Sequence, residues 1–446
     1  MTPAPKGQVW RLAWPLILSN LTVPLLGLVD TAVVGHLPDP VALGAVGLGA
    51  ATFAALYLAF GALRMGTTAL TAQAVGAEDA AEAKACLLRP LGIALGLGVL
   101  LLWATPGIVA LAQVGFGASP AVHEALATYI GWRLWGAPAA LANVVVLGWL
   151  LGHHHSRSQL VVLVTTNGLN ALLDVYLVFG LEWGVAGVAM ATALANWVGL
   201  AVGLGYCQRI WRRLDAPLTW ERFGQPARFV QLFQVNGDLL LRSLALEGAF
   251  LLFAGLSARQ GEIILAANAV LENFLLLQAY ALDGFAFAAE ALVGSAVGRR
   301  DAKALEAATA AAGKWLVGFA LVIAVGYGLL GSGLIALLTS QGAVQATAVA
   351  FLPYLVLSPP IAAGAYLFDG VFAGATQTKE LRNGTLLASG VFCPAALGLV
   401  TLHGNHGLWL ALLLLLALRS GWFGWRYWVL ATRGQFIPAS GSVCHC

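Results

Sequence analysis

Long apolar stretches follow one another from end to end of the chain, separated by short segments where Gly, Pro, Arg and Asp collect. A bilayer core about 30 Å thick is crossed by about 20 apolar residues in a helix, or more if the helix tilts. Twelve stretches meet that length: Trp10–Gly35, Val41–Val75, Leu87–Val114, Val122–Gly152, Gln159–Leu181, Gly184–Tyr206, Phe229–Gly255, Ile263–Val297, Lys314–Leu338, Ala348–Gly374, Leu381–Leu402 and Gly407–Leu430. Apolar on all sides, they read as membrane helices, not as one-sided surface helices. The second and eighth exceed the bilayer thickness.

Composition excludes the alternatives. Of 446 residues 60% are hydrophobic and 10% charged, against about 25% charged in a soluble domain. The mean hydropathy is +0.84, so a water-soluble enzyme is excluded. Fifty-three glycines and 15 tryptophans suit close helix packing and interfacial anchoring. A net charge of +3 is too small to draw a nucleic acid, and no nucleic-acid partner is expected. The first stretch lacks a small-residue cleavage pattern and reads as a retained helix.

Charge placement sets the orientation. With the N-terminus inside, 18 of the 23 Lys and Arg fall at cytoplasmic segments or helix ends and only Arg259 in an external loop; Arg64, Arg133, Arg242 and Arg419 lie within spans. This is the positive-inside pattern, and both termini are expected in the cytoplasm.

The halves repeat. Ala74-Val75-Gly76-Ala77-Glu78-Asp79-Ala80 recurs 222 residues later as Ala296-Val297-Gly298-Arg299-Arg300-Asp301-Ala302, and Gly152 and Gly374 stand at the same offset. Parallel repeats related by an axis along the membrane normal build many transporters. The expected fold is an all-α integral membrane protein of twelve transmembrane helices in two six-helix lobes with pseudo-two-fold symmetry. Its N-lobe is residues 1–208, its polar cytoplasmic linker 209–228 with Pro217 and Pro226, and its C-lobe 229–446 with a short tail.

Ionisable groups inside a bilayer are costly and mark function by default. Eight of the 20 acids lie in spans: Asp30, Asp174, Asp238, Glu247, Glu272, Asp283, Glu290 and Asp369. At about 1.5 Å per residue, Asp30, Asp174 and Thr192 lie about 8 to 12 Å below the outer surface, and Asn170 faces the same way as Asp174 one turn on. Two carboxyls, an amide and a hydroxyl suit one cation, H⁺ or Na⁺; plain pairing with neighbouring donors is the alternative. Pro15 and Pro24 in the first span weaken its backbone ladder and mark where it can bend. Asp283 and Glu290, two turns apart, with Glu247 and Asp369 are candidates for a cavity attracting cationic substrates, or else partners of Arg242 and Arg419. Asp238 and Arg242, four apart, read as a structural pair. His153-His154-His155 and Cys444-His445-Cys446 do not make a closed metal site, so no metal is expected. No phosphate loop or nucleophile elbow is present, so neither an ATP-driven pump nor an enzyme is expected.

These residues resemble a family. Leu28-Val29-Asp30-Thr31, Asn170-x-x-x-Asp174 and Thr192, in two halves of six helices, are similar to the multidrug and toxic compound extrusion (MATE) transporters. Ala279-Tyr280-Ala281-Leu282-Asp283-Gly284-Phe285-Ala286 with Glu290, and Phe368-Asp369-Gly370-Val371-Phe372-Ala373-Gly374-Ala375-Thr376 with Arg382-Asn383, resemble the DNA-damage-inducible F (DinF) branch. The resemblance implies a V-shaped pair of lobes in a bacterial cytoplasmic membrane, exporting amphiphilic, often cationic, drugs by alternating access in exchange for H⁺, with Na⁺ the alternative. It implies a cation site at Asp30, Asn170, Asp174 and Thr192, with protonation of Asp30 bending the first helix near Pro15 or Pro24. A monomer without cofactor, surrounded by lipid, is expected. A lipid-linked sugar flippase of the same superfamily is the alternative and would want a basic cavity, which eight acids against four arginines disfavour. A polytopic membrane enzyme would need a reactive constellation at one membrane face, and none is seen.

Overall fold

The computed structural model describes residues 6–35, 40–217 and 219–437. Every element in it is a helix: α1 (Lys6–Gly35), α2 (Pro40–Gly76), α3 (Ala80–Trp103), α4 (Thr105–Phe116), α5 (Pro120–Leu134), α6 (Ala137–Gly152), α7 (Ser156–Val175), α8 (Gly184–Trp211), α9 (Trp220–Phe223), α10 (Pro226–Ala258), α11 (Glu262–Gly298), α12 (Ala302–Leu338), α13 (Gly342–Gly374) and α14 (Thr378–Thr432). Helices satisfy every backbone group within the segment, as a lipid surround without hydrogen-bonding partners demands.

Among the described residues nine helices are long and apolar enough to cross a membrane, ten if the pair α5 and α6, bent by 49°, is one span. The 55-residue α14 is broken at Gly404 (φ 54°, ψ −136°), which leaves a length of helix on either side. With the 30-residue α1, the segments follow the order of the expected spans.

Two compact units result. One comprises residues 18–232; the other comprises 233 onward together with the chain up to Ile17. Helix α1 therefore serves both. Its first turns stack Trp10 on Trp315 at 5.0 Å and press Ile17 against Gly284, within the C-terminal unit. Beyond Ile17 it joins the N-terminal unit, where Asn167 donates to the Thr22 hydroxyl at 2.6 Å. Pro15 and Pro24 stand on either side of this changeover, and α1 runs through both as one helix.

The repeat read in the sequence is present in the backbone. Glu78 and Arg300 adopt positive φ at 57°, and the carboxylates of Asp79 and Asp301 then cap α3 and α12 by accepting from Glu82 N at 3.0 Å and Ala304 N at 2.9 Å. Gly148 and Gly152 let α6 touch the backbone of α2: a Cβ on Gly148 would fall 2.6 Å from the Arg64 carbonyl oxygen. Gly370 and Gly374 stand 222 residues later and let α13 touch α11 at the carbonyls of Ala286 and Glu290. Small residues four apart are the usual means of close helix approach in lipid.

Gly370→Ala is therefore expected to force α13 and α11 apart and to lower stability by about 1–3 kcal/mol, the cost of overpacking. Thermal unfolding in detergent checks this against Gly168→Ala, where the added methyl meets open space and stability should be kept or slightly raised.

Candidate functional site

A group of buried polar side chains in the N-terminal unit is contributed by α1, α7 and α8. Asn170 and Asp174 stand one turn apart on α7 and are buried, with 1% and 0% of their surface exposed. Asn170 Nδ2 donates to Asp174 Oδ2 at 3.2 Å and lies 3.4 Å from Thr192 Oγ1 on α8. Thr192 Oγ1 itself donates back to the Val188 carbonyl at 3.1 Å. From α1 the carboxyl of Asp30 lies beside that of Asp174, close enough for the two to share a proton. All four residues named from the sequence are thus brought together.

The backbone supports this placement. Directly after Asp174 the helix widens into a π-turn, Tyr176–Gly180, and Leu181 N bonds back to the Tyr176 carbonyl at 3.1 Å. Such single π-turns recur at functional sites because they re-aim the residues beside them. Gly187 seats α8 against Leu177 of the turn, 3.2 Å from a Cβ in its place, and so holds Thr192 opposite Asn170.

Two features define what the cluster can do. Two carboxylates offer only acceptors, so a hydrogen bond between Asp30 and Asp174 requires a proton on one of them. Asp30 Oδ1, Asp174 Oδ1 and Asn170 Oδ1 are buried acceptors with no hydrogen-bond partner. Buried orphan oxygens carry a desolvation cost of about 1–3 kcal/mol each, which a proton or a small monovalent cation among them would remove.

A second layer was not assigned to the site from the sequence. Arg133 on α5 lies 4.4 Å over the ring of Phe53 and donates to the Tyr129 hydroxyl. Its charge acts on both Asp30 and Asp174. The sequence placed Arg133 inside a span, and an arginine at that depth, like a buried acid, signals a partner.

In the C-terminal unit the acids are differently disposed. Asp369 Oδ2 accepts from Arg419 at 2.8 Å and from Arg242, so this acid is held between two guanidiniums. Tyr366 lies beside this group and beside Asp283. Glu290 is fully buried on α11 where α13 touches it, and Glu247 is exposed on α10. The expected Asp238–Arg242 pair does not form. Asp238 instead accepts from Arg382 at 2.6 Å and from Thr378 at 2.9 Å, both on α14, while Arg242 turns to Asp369 on α13; an i,i+4 pair on one helix is worth only a few tenths of a kcal/mol and is readily given up for such partners.

Among the described residues no group of three or more His, Cys, Asp or Glu side chains is placed to hold a metal. Cys444-His445-Cys446 lies outside those residues. His153 sits on Trp149, ring centroids 4.0 Å apart, with Nδ1 donating to the Trp149 carbonyl at 3.1 Å. Burial lowers its pKa from the ordinary value to about 4, and His155 is lowered by burial and by Arg213.

Two predictions follow from these groups. Asp369→Asn leaves two buried guanidiniums short of a counter-charge and is expected to cost about 3 kcal/mol of stability, read by thermal unfolding in detergent; Glu247→Gln should leave the transition in place. For His153 the folded protein resists the proton that the unfolded chain accepts near pH 6.5. Its stabilising effect is therefore complete above that pH and lost as pH falls toward 4. The decline in unfolding temperature across that window is expected to be smaller in His153→Phe.

Comparison with known proteins places this geometry in a family. The MatE family model matches residues 15–176 and 239–392. The DNA damage-inducible protein F of Escherichia coli (strain K12) is 44% identical over 414 residues, covering 92% of this chain and 90% of its own length. The "Probable multidrug resistance protein NorM" of Xanthomonas axonopodis pv. citri is 28% identical over 93% of this chain and 92% of its own. A solved structure described as the outward-facing conformation of a multidrug resistance MATE family transporter superposes with a TM-score of 0.86 at 22% identity, covering 96% of this chain and 97% of that one, which shows the shared fold. The chain belongs to the MATE family, whose members are multi-pass membrane transporters and not enzymes.

Proposed function

We propose that the protein is a cation-coupled antiporter that exports amphiphilic, cationic compounds across a bacterial cytoplasmic membrane, with H⁺ as the coupling ion. The observation that carries this reading is the Asp30–Asp174 contact with its three orphan buried oxygens. A site that must hold one positive charge, and can release it, is what exchange requires. With the proton bound, Asp30 and Asp174 hold the outer part of α1 against α7. With the proton gone, like charges in a medium of low dielectric repel and that part of α1 is released.

Helix α1 is suited to transmit the change. Prolines at 15 and 24 remove backbone donors around the point where it passes from one unit to the other, and a helix bends where its ladder is interrupted. Alternation between two access states then follows from a local charge change acting on an element shared by both units. The names of the relatives, a multidrug resistance protein among them, support small-molecule cargo. Both termini are cytoplasmic in this reading, by the positive-inside rule, and the working unit is a monomer.

The test uses purified protein in liposomes with ethidium as cargo. A pH gradient, inside against outside, is expected to drive ethidium movement in the wild type and to fail in Asp30→Asn and Asp174→Asn, with at least a tenfold loss of initial rate, about 1.4 kcal/mol. Movement driven by a Na⁺ gradient alone would reassign the same site to sodium. Undiminished movement in both variants would overturn the coupling role of the pair.

A further inference from the structure

Arg133 is a permanent charge beside a site that exchanges a charge. Its guanidinium lies 4.4 Å over Phe53 and 5.3 Å from the Tyr129 ring centroid, donates to the Tyr129 hydroxyl, and is always protonated. The Tyr129 ring is in turn seated against Gly49 of α2, where a Cβ would collide with it. Phe53 and Tyr129 belong to one buried cluster with Val33 and Val34 of α1, Val178 of the π-turn and Val188 of α8. These residues stand within about one helical turn of Asp30, Asp174 and Thr192 along their own helices, so the cluster that fixes Arg133 adjoins the acids.

No carboxylate among the described residues makes an ion-pair contact with Arg133. The aromatic faces hold it, as they hold cations generally, within the same cluster of side chains that α1, the π-turn and α8 contribute beside the acids, so its charge is felt by both. The groups around the two acids are Asn170 on α7, Thr192 on α8, and Tyr129 and Arg133 on α5, with Tyr57 and Phe53 of α2 beside Arg133 and Tyr129. Phenols are ordinarily neutral near pH 7, which leaves two acids and one base.

We propose that Arg133 is the resident cation of this site and limits it to one exchangeable proton per transport cycle. With both acids ionised, the two carboxylates and Arg133 carry one net negative charge; one proton makes the group neutral, and a second would leave it positive. Net charge within the bilayer costs several kcal/mol, so the singly protonated group is the resting state and a single proton leaves for each monovalent cation that takes its place. The proton moves from the shared Asp30–Asp174 bond to water, and no covalent bond other than O–H changes. Without Arg133 the neutral state requires two protons. This inference rests on the reading of Asp30 and Asp174 as the coupling site.

Ethidium exchange in proteoliposomes, with the membrane potential clamped by valinomycin and K⁺, counts the protons. In the wild type an about tenfold ethidium gradient is expected to be balanced by about one pH unit, and the balance point should not move with the potential. In Arg133→Gln about half a pH unit should balance the same gradient, and the balance point should shift with the potential, since two protons then exchange for one charge. Arg133→Lys keeps the charge and should keep the wild-type count. One-for-one exchange in Arg133→Gln overturns the inference while leaving the coupling site standing. Two-for-one exchange in the wild type overturns it without any variant, so the test does not depend on Arg133→Gln folding. Absence of gradient-driven movement in the wild type would remove the coupling reading and the inference with it.

Discussion

Two carboxyl groups held side by side within a bilayer cannot both be ionised without a counter-charge, and the N-terminal unit is organised around that constraint. Asp30 and Asp174 come from helices far apart in sequence, and their contact costs free energy unless a proton lies between them. The surrounding elements serve to keep the contact in place. Asn170 holds Asp174 from one turn below, the π-turn follows immediately after it, and Gly187 brings α8 close enough for Thr192 to complete the group. Arg133, laid on its aromatic support, supplies the charge that makes a single proton sufficient.

The C-terminal unit repeats the scaffold without repeating the chemistry. Its Gly370 and Gly374 seat α13 on α11 as Gly148 and Gly152 seat α6 on α2, and its turns adopt the same left-handed residues at the same offset. Its buried aspartate is nevertheless closed between Arg242 and Arg419. An acid so paired has its negative charge more than matched by two guanidiniums and offers no seat for a mobile cation. A duplicated frame thus carries an open charge in one unit and a satisfied one in the other, and α1, whose first turns belong with one unit and whose outer part belongs with the other, joins them.

Much of this was legible in the sequence because lipid makes the rules strict. Apolar length predicts spans, and depth counted at about 1.5 Å per residue brought Asp30, Asp174 and Thr192 to one level, with Asn170 one turn from Asp174 on the same face. The 222-residue repeat was visible in the capped turns at Asp79 and Asp301, where an acid caps a helix after a left-handed residue. What stayed hidden was rotational: which face of a helix a side chain occupies once the neighbours pack. Arg133 was seen to lie in a span, but only the packing of Tyr129 into Gly49 and of Phe53 beneath the guanidinium shows what holds it. Asp238 was paired with Arg242 by spacing, whereas the fold offers it Arg382 and Thr378 from elsewhere in the chain. The π-turn after Asp174 has no mark in composition, since Tyr176–Gly180 reads as ordinary apolar helix.

The central claim is that Asp30 and Asp174 share one proton that cargo displaces. Infrared difference spectroscopy of the purified protein, with and without ethidium, reads that proton through the carbonyl stretch of a protonated carboxyl group. The account predicts that cargo binding removes the band of a single protonated carboxyl in the wild type and that the same band is absent from the difference spectrum of Asp30→Asn. An unchanged carboxyl band on cargo binding to the folded wild type, or an identical loss in Asp30→Asn, would contradict it.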